Sequence, residues 1–339
     1  MKRKGVAAIL GSSPVVSQRF SQNSSYKRLN SYDRSLVRND SMTQLFLSLP
    51  SDRYDPQAAR YRIVPVPYEG TVCFLGGTAK GPDAILAVSD QMEHFDDELL
   101  CDFTRHGIAT FPPIPSAEAP EKMYEQIYQT VRREAYFEQG KVPIFLGGEH
   151  SITPPIVRAA AECYGEISAL QFDAHADLRD AYTGGKFSHA SAMRRVLEMT
   201  PHLAQVGIRS FSEEEYRECP EQIAAIITPR MVMQNIERCI AKIINTLTEH
   251  VYITIDIDAF DPAYAPGTGT PEPGGLDWFQ VTSILRRICE TKKIIGADIV
   301  EVAPLGGNNV VTEFLATRLV AKMIAYTHRG IAATQRGIY

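Results

Sequence analysis

The chain has 339 residues, 44 % apolar and 22 % charged, with a net charge of −5. That length accommodates one large domain or two small ones with ample chain for a buried core. No run approaches the roughly 18 apolar residues of a membrane span, and the negative balance offers no basic footprint for nucleic-acid phosphates, so a small-molecule enzyme is the class that remains. The six cysteines (Cys73, Cys101, Cys163, Cys219, Cys239, Cys289) include no CxxC pair. This scatter suits reduced, mostly buried thiols in a reducing, cytoplasmic compartment better than a disulfide framework or a zinc ribbon.

Residues 1–40 hold eight Lys/Arg and eight Ser against only Asp33 and Asp40. The stretch lacks apolar periodicity, so it is expected to be a disordered extension, drawn here to residue 55, with a catalytic domain over 56–339. Its composition is also that of an organellar transit peptide. A dispensable tail and a translation start near Met42 stay open beside that reading.

From Tyr61 onward, short β-branched runs alternate with amphipathic stretches. Strands are expected at 61–67, 142–147, 168–173, 203–208, 223–228, 251–258 and 294–301. Helices are expected at 120–139, 153–163, 187–199, 232–248, 276–290 and 311–326, where apolar residues recur every three and four positions, as in Ile236, Ile240, Ile243, Ile244 and Leu247. Strands apolar on both faces that alternate with helices imply an α/β fold, a three-layer α/β/α domain with a mainly parallel central sheet.

Ligands of such sheets bind beyond the carboxyl ends of the strands. Four strand ends carry chemistry: VPIFLGG leads into Glu149-His150-Ser151, SALQF into Asp173-Ala174-His175-Ala176-Asp177, VYITI into Asp256-Ile257-Asp258, and IGADIV into Glu301. If these ends converge, Asp173, Asp177, Asp256 and Asp258 share one cleft and require a cation to stay ionised together. Arg179 is the one basic side chain obvious nearby, whereas His150 and His175 supply imidazole nitrogens. Carboxylates and imidazoles without thiolate favour a hard or borderline divalent ion such as manganese. A lone Asp-x-Asp after a strand is usually a turn or a helix cap. Three candidate ligands at two-residue spacing, Asp173, His175 and Asp177, point to one side of an extended segment and are harder to explain that way.

With GGEHSIT (147–153), FDAHADLRD (172–180), SHAS (188–191), IDIDAFDPAYAPGTGTPEPGG (255–275) and VEVAP (300–304) in order, the sequence resembles the ureohydrolase family of arginases and agmatinases over about residues 60–328. The resemblance implies the arginase-like fold and hydrolysis of a guanidino compound to urea and an amine at a centre of two Mn2+ ions. It implies one ion held by His150, Asp173, Asp177 and Asp256, and another by Asp173, His175, Asp256 and Asp258. By the same resemblance Asp177 handles the reacting proton, Glu301 pairs with the guanidinium, and His189 shuttles protons or touches substrate. Nickel, cobalt and iron also suit such ligands. The 179–188 loop and the PGTGTPEPGG segment resemble agmatinases, so agmatine is the first substrate to test. Lys80 in GTAKGP and the PLGGNNVVTEF segment depart from that pattern and keep aminopropylagmatine, guanidinobutyrate, guanidinopropionate and guanidine open. A single-metal deacetylase-like hydrolase and a non-catalytic metal-binding homologue are the readings of other classes. The family relationship also implies a homo-oligomer, trimer or hexamer.

Overall fold

In a parallel sheet covered on both sides, alternate residues of every strand must find a separate apolar layer, and the chain supplies two. The computed structural model describes residues 44–50 and 53–336. Its strands are β1 (Tyr61–Val66), β2 (Phe95–Asp96), β3 (Cys101–Asp102), β4 (Ile108–Thr110), β5 (Val142–Gly147), β6 (Ser168–Phe172), β7 (Leu203–Val206), β8 (His250–Asp256) and β9 (Lys293–Val300). Seven of them form a sheet in the order β4-β1-β5-β9-β8-β6-β7, every pairing parallel. The short β2 and β3 pair with each other, antiparallel.

The helices are α1 (Gly81–Ser89), α2 (Pro120–Arg133), α3 (Thr153–Tyr164), α4 (Ala192–Leu197), α5 (Glu213–Glu218), α6 (Pro220–Ala225), α7 (Pro229–Gln234), α8 (Ile236–Thr246), α9 (Trp278–Thr291) and α10 (Val311–Arg336). Leu170 and Phe172 of β6, with Ile253 and Ile255 of β8, pack under α1, α8, α9 and α10. Ala169 and Tyr252, one residue out of phase, pack under α2, α3 and α4. Each large apolar side chain so buried contributes on the order of 1.5–3 kcal/mol.

Most expected strands and helices are present, with differences that have local causes. The segment 223–228 is not a strand: Pro220 opens α6 with its fixed φ at the first helical turn, and Ile227 retains only a single parallel bridge to Val206. The helix expected to reach 139 ends at Arg133, with Ala135 in a left-handed turn at φ 50°. The expected 187–199 helix is a 3-10 turn followed by α4. Of the six cysteines, none in a disulfide, only Cys239 and Cys289 are buried, because Cys73 lies on a loop at the site and Cys163 on the outer side of α3. The stretch 1–40 lies outside the described residues. Phe46, Leu47 and Leu49, ahead of residue 56, are buried in the core, where the Phe46 and Leu47 amides donate to Thr110 Oγ1 and Ser89 Oγ. Among the described residues no helix is long and apolar enough to cross a membrane.

Candidate active site

The carboxyl ends of β5, β9, β8 and β6, neighbours at the middle of the sheet, deliver their terminal residues to one pocket of about 290 Å³. Gly148 lets β5 leave the sheet tightly against Tyr68, since a Cβ there would overlap the Tyr68 carbonyl. The next residue but one is His150, whose imidazole is buried.

His150 Nδ1 stands 3.0 Å from Asp177 Oδ2, 3.1 Å from Asp173 Oδ2 and 3.6 Å from Asp256 Oδ2. On the other side of Asp173, its Oδ1 is 3.7 Å from His175 Nδ1, which lies 3.0 Å from Asp258 Oδ2. His150, Asp173 and Asp177 form one close group of donor atoms, and Asp173, His175 and Asp258 form another. Asp173 thus faces both groups through different oxygens. Asp256, expected in both ligand sets, comes nearest to the His150 group and is in neither close triad.

The electrostatics of this cluster are unbalanced. Asp173, Asp177, Asp256 and Asp258 are all buried, and among the described residues their ion-pair partners are only His150 and His175. Arg179, expected nearby, does line the same pocket, but it stacks on Tyr182 and forms no ion pair with the cluster among the described residues. The nearer guanidinium, Arg209, donates to the backbone carbonyls of Gly207, Asp258 and Glu272 and pins the strand-end loops together. Burial and the Asp173 charge push Asp177 up to about 7. Burial and the Asp258 and Asp173 charges raise Asp256 well above the carboxylate range. Burial alone lowers a histidine, yet the facing carboxylates reverse that and lift His150 well above its ordinary value and His175 to about 12.

Despite its three carboxylate neighbours, His150 Nδ1 is buried without a properly directed hydrogen bond. An imidazole nitrogen and several carboxylate oxygens aimed at one another, with no Lys or Arg among them, are a donor set that fits divalent cations. The sign of the proton linkage follows. Asp177, Asp256, His150 and His175 all bind protons more tightly folded than unfolded, so the stability of the metal-free chain falls as pH rises from about 4 through 7 and beyond. A divalent ion displaces those protons. Melting curves at pH 5 and pH 8 are expected to show the metal-free chain weaker at pH 8 and manganese raising Tm more there; equal Tm gains at both pH values would contradict this.

Glu301 also sits in the pocket, buried, with no ion-pair partner among the described residues. Its Oε1 accepts from the His150 amide at 2.7 Å, and burial together with the Glu149 charge raises its pKa well above the usual range. Both Glu301 and Asp177 adopt left-handed backbone conformations, at φ 62° and φ 55°. Such strain in non-glycine residues persists where surrounding contacts impose it, and it concentrates at functional sites.

His189 lines the same pocket from the turn before α4. Its Nδ1 is 3.0 Å from Thr71 Oγ1, which also accepts from the His189 amide and lies 2.8 Å from Glu149 Oε1. The single hydroxyl proton goes to the carboxylate, the stronger acceptor, so Nδ1 carries the imidazole proton and Nε2 keeps its lone pair. Burial lowers the pKa of His189, which keeps that lone pair available near neutrality. Glu149 itself, buried, also accepts from the Gly70 and Thr71 amides and Ser151 Oγ. It braces the 70–71 loop rather than joining the carboxylate cluster.

Three polar contacts around the His/Asp cluster were not singled out in the sequence. His150 Nε2 is 2.9 Å from Thr254 Oγ1, whose hydroxyl donates to Asp298 Oδ1 at 2.5 Å. This fixes the imidazole with Nδ1 turned to the cluster. Gln171 Nε2 donates to Asp173 Oδ2 at 2.6 Å. The available signal was a polar residue inside each apolar run: Thr254 in VYITID, Asp298 in IGADIV and Gln171 in SALQF.

A sequence profile of the arginase family matches residues 59–325. The N(1)-aminopropylagmatine ureohydrolase of Synechocystis sp. is 36 % identical over 271 residues, covering 78 % of this chain and 88 % of that protein. The agmatinase of Pyrococcus horikoshii is 32 % identical over 277 residues, 81 % of this chain and 94 % of its own. Among solved structures, the agmatine ureohydrolase of Thermoplasma volcanium superposes with a TM-score of 0.78 at 30 % identity, covering 90 % of this chain and all of that one. The parallel sheet with helices on both faces and a His/Asp cluster at its strand ends defines an arginase-like hydrolase fold. The chain belongs to the arginase family.

Proposed function

We propose that this chain hydrolyses the guanidino group of a linear guanidino-amine to urea and the amine, with agmatine, yielding putrescine, as the first reading. The observation that carries it is a pair of close His/Asp groups, reaching one pocket through His150, His175 and Asp177, beside a buried Glu301 that has no ion-pair partner among the described residues. A second reading, N(1)-aminopropylagmatine, is supported by the 36 % identical relative that bears that name. Both substrates present the same cationic head, so the same pocket residues would receive either.

In this reading His150, Asp173, Asp177 and Asp256 would hold one Mn2+, and Asp173, His175, Asp256 and Asp258 would hold the other. When bound, such a pair supplies a water acidic enough to ionise near neutral pH, the nucleophile that a resonance-stabilised guanidinium needs. Glu301 receives the guanidinium. Its buried carboxyl has no ion-pair partner among the described residues, and a planar cation matches a carboxylate through two parallel hydrogen bonds. Asp177 accepts the nucleophile's proton and returns it to the leaving amine. His189 relays protons at Nε2 between pocket and solvent. Catalysis belongs to the packed fold and not to the basic stretch before it, in a soluble cytoplasmic homo-oligomer, trimer or hexamer.

The test is urea release by the manganese-loaded chain across agmatine, N(1)-aminopropylagmatine, arginine, guanidinobutyrate, guanidinopropionate and guanidine, with metal content measured on the same sample. Turnover of either guanidino-amine with about two ions per chain supports the reading. One ion and no urea brings forward the deacetylase-like alternative. Glu301→Gln keeps the acceptor for the His150 amide but loses the charge, so kcat/KM is expected to fall about 100-fold with both metals retained. Loss of metal in that variant would instead make Glu301 a ligand.

A further inference from the structure

One polar row crosses the sheet a layer beneath the carboxylate cluster. Gln205 of β7 is in register with Gln171 of β6, Gln171 with Thr254 of β8, and Thr254 with Asp298 of β9. All four are at most 1 % exposed, and strand neighbours in parallel register present their side chains on the same face. The Thr254 and Asp298 end of the row serves His150, as described above. The glutamine end has no counterpart role in the proposed chemistry.

Its hydrogen bonds run in one direction. Gln222, half-buried within α6, donates from Nε2 to Gln205 Oε1 at 2.9 Å. Gln205 Nε2 donates to Gln171 Oε1 at 2.6 Å and to the Ala176 carbonyl at 2.8 Å. Gln171 Nε2 then donates to Asp173 Oδ2 at 2.6 Å. The polarity is forced from the far end: a carboxylate only accepts, so flipping the Gln171 amide would set oxygen against oxygen at that distance. It would also set the Gln171 amide nitrogen against the donating nitrogen of Gln205. Each amide is held by its neighbour, and the last donor fixes one oxygen of the carboxylate shared by both donor groups.

We infer that Gln171, oriented by Gln205 and Gln222, is a positioning residue that holds Asp173 in the attitude needed to serve two metal ions at once. This rests on the reading of Asp173 as a shared ligand. Asp173 Oδ1 is fixed separately by the His175 amide at 2.6 Å, so the relay controls the Oδ2 side, the one facing His150. Without it the carboxylate keeps its charge but can rotate about its side-chain torsion, and two-ion binding suffers before the fold does. Outer-shell hydrogen bonds of this kind typically account for about 10- to 100-fold in metal affinity.

The experiment uses the full chain stripped of metal and reloaded with manganese alone. Three quantities are read: the dissociation constants by chelator competition, the exchange-coupled EPR signal of a manganese pair, and the metal-free melting temperature. Gln171→Leu is expected to weaken manganese binding about 10- to 100-fold and to diminish the coupled signal. Gln205→Leu, which never touches Asp173, is expected to do the same more mildly. Gln222→Leu, at the half-buried end, keeps the test available if a buried variant does not fold, and its expected effect is a several-fold loss of affinity in the same direction. Wild-type dissociation constants and an unaltered coupled signal in the variants that fold, even with a lowered melting temperature, would reduce the relay to core packing and overturn the inference. If the wild-type chain binds no pair of manganese ions, the metal-centre reading itself fails, which is a different result from wild-type binding with insensitive variants.

Discussion

Asp177→Asn is expected to lower kcat by about three orders of magnitude or more while the chain folds and still binds guanidino-amine. The substitution is clean on three counts. Asparagine matches aspartate in shape, and it tolerates the left-handed backbone at φ 55° at least as well. It also retains an oxygen that can face His150 across the 3.0 Å separation. What it loses is the ability to take up and release a proton. In the wild type, burial and the Asp173 charge bring that carboxyl to about 7, within the range where a group exchanges protons at neutral pH. A bound cation would lower that value, but under the proposed function the group stays beside the reacting water and the leaving amine. Steady-state urea release with metal content measured in parallel checks the result. A variant with two ions and a near-wild-type kcat would remove Asp177 from the proton path, whereas a variant without metal would show only that the residue is a ligand.

The parts of this fold legible in the sequence are those where burial is total. VPIFLG, SALQF and VYITID are apolar on both faces because both faces are covered, and the chemistry-bearing residues stand where those runs stop. The Asp173-x-His175-x-Asp177 spacing was legible for the same reason, as an abrupt change from apolar strand to alternating acids and histidine. The 223–228 run misled because its isoleucines are buried with no sheet pairing beyond the single Ile227 bridge to Val206: Pro220 sets a helix, and Ile223 closes the apolar layer from its side. Strand β4, three residues long at the sheet edge, is too short to show a period. The left-handed conformations of Asp177 and Glu301 could not be read, because sequence carries no φ. Arg209 escaped notice because its partners are carbonyls from separate strand-end loops. The glutamine relay depends on the register of β6 against β7, which only the assembled sheet defines.

His150→Ala is expected to cost manganese affinity at least about 100-fold and to abolish measurable turnover at micromolar metal. The imidazole contributes the nitrogen facing Asp173, Asp177 and Asp256, and no other described side chain can replace it, since Thr254 behind it offers only a hydroxyl already committed to Asp298. Removing it also leaves a void in a fully buried position, which destabilises the chain whether or not metal binds there. The two effects separate in their dependence on ligand concentration. Metal-linked stabilisation grows as RT ln(1 + [L]/Kd), so a 100-fold weaker site forfeits about 2.7 kcal/mol of it at saturating manganese, whereas a cavity lowers stability equally at every concentration. Titrating manganese into wild type and variant while following Tm therefore reads the ligand role directly. In the wild type Tm is expected to climb with manganese, and in the variant to stay nearly flat until concentrations about 100-fold higher. Parallel curves offset only by a constant would mean that His150 fills space and that the carboxylates hold the ions without it.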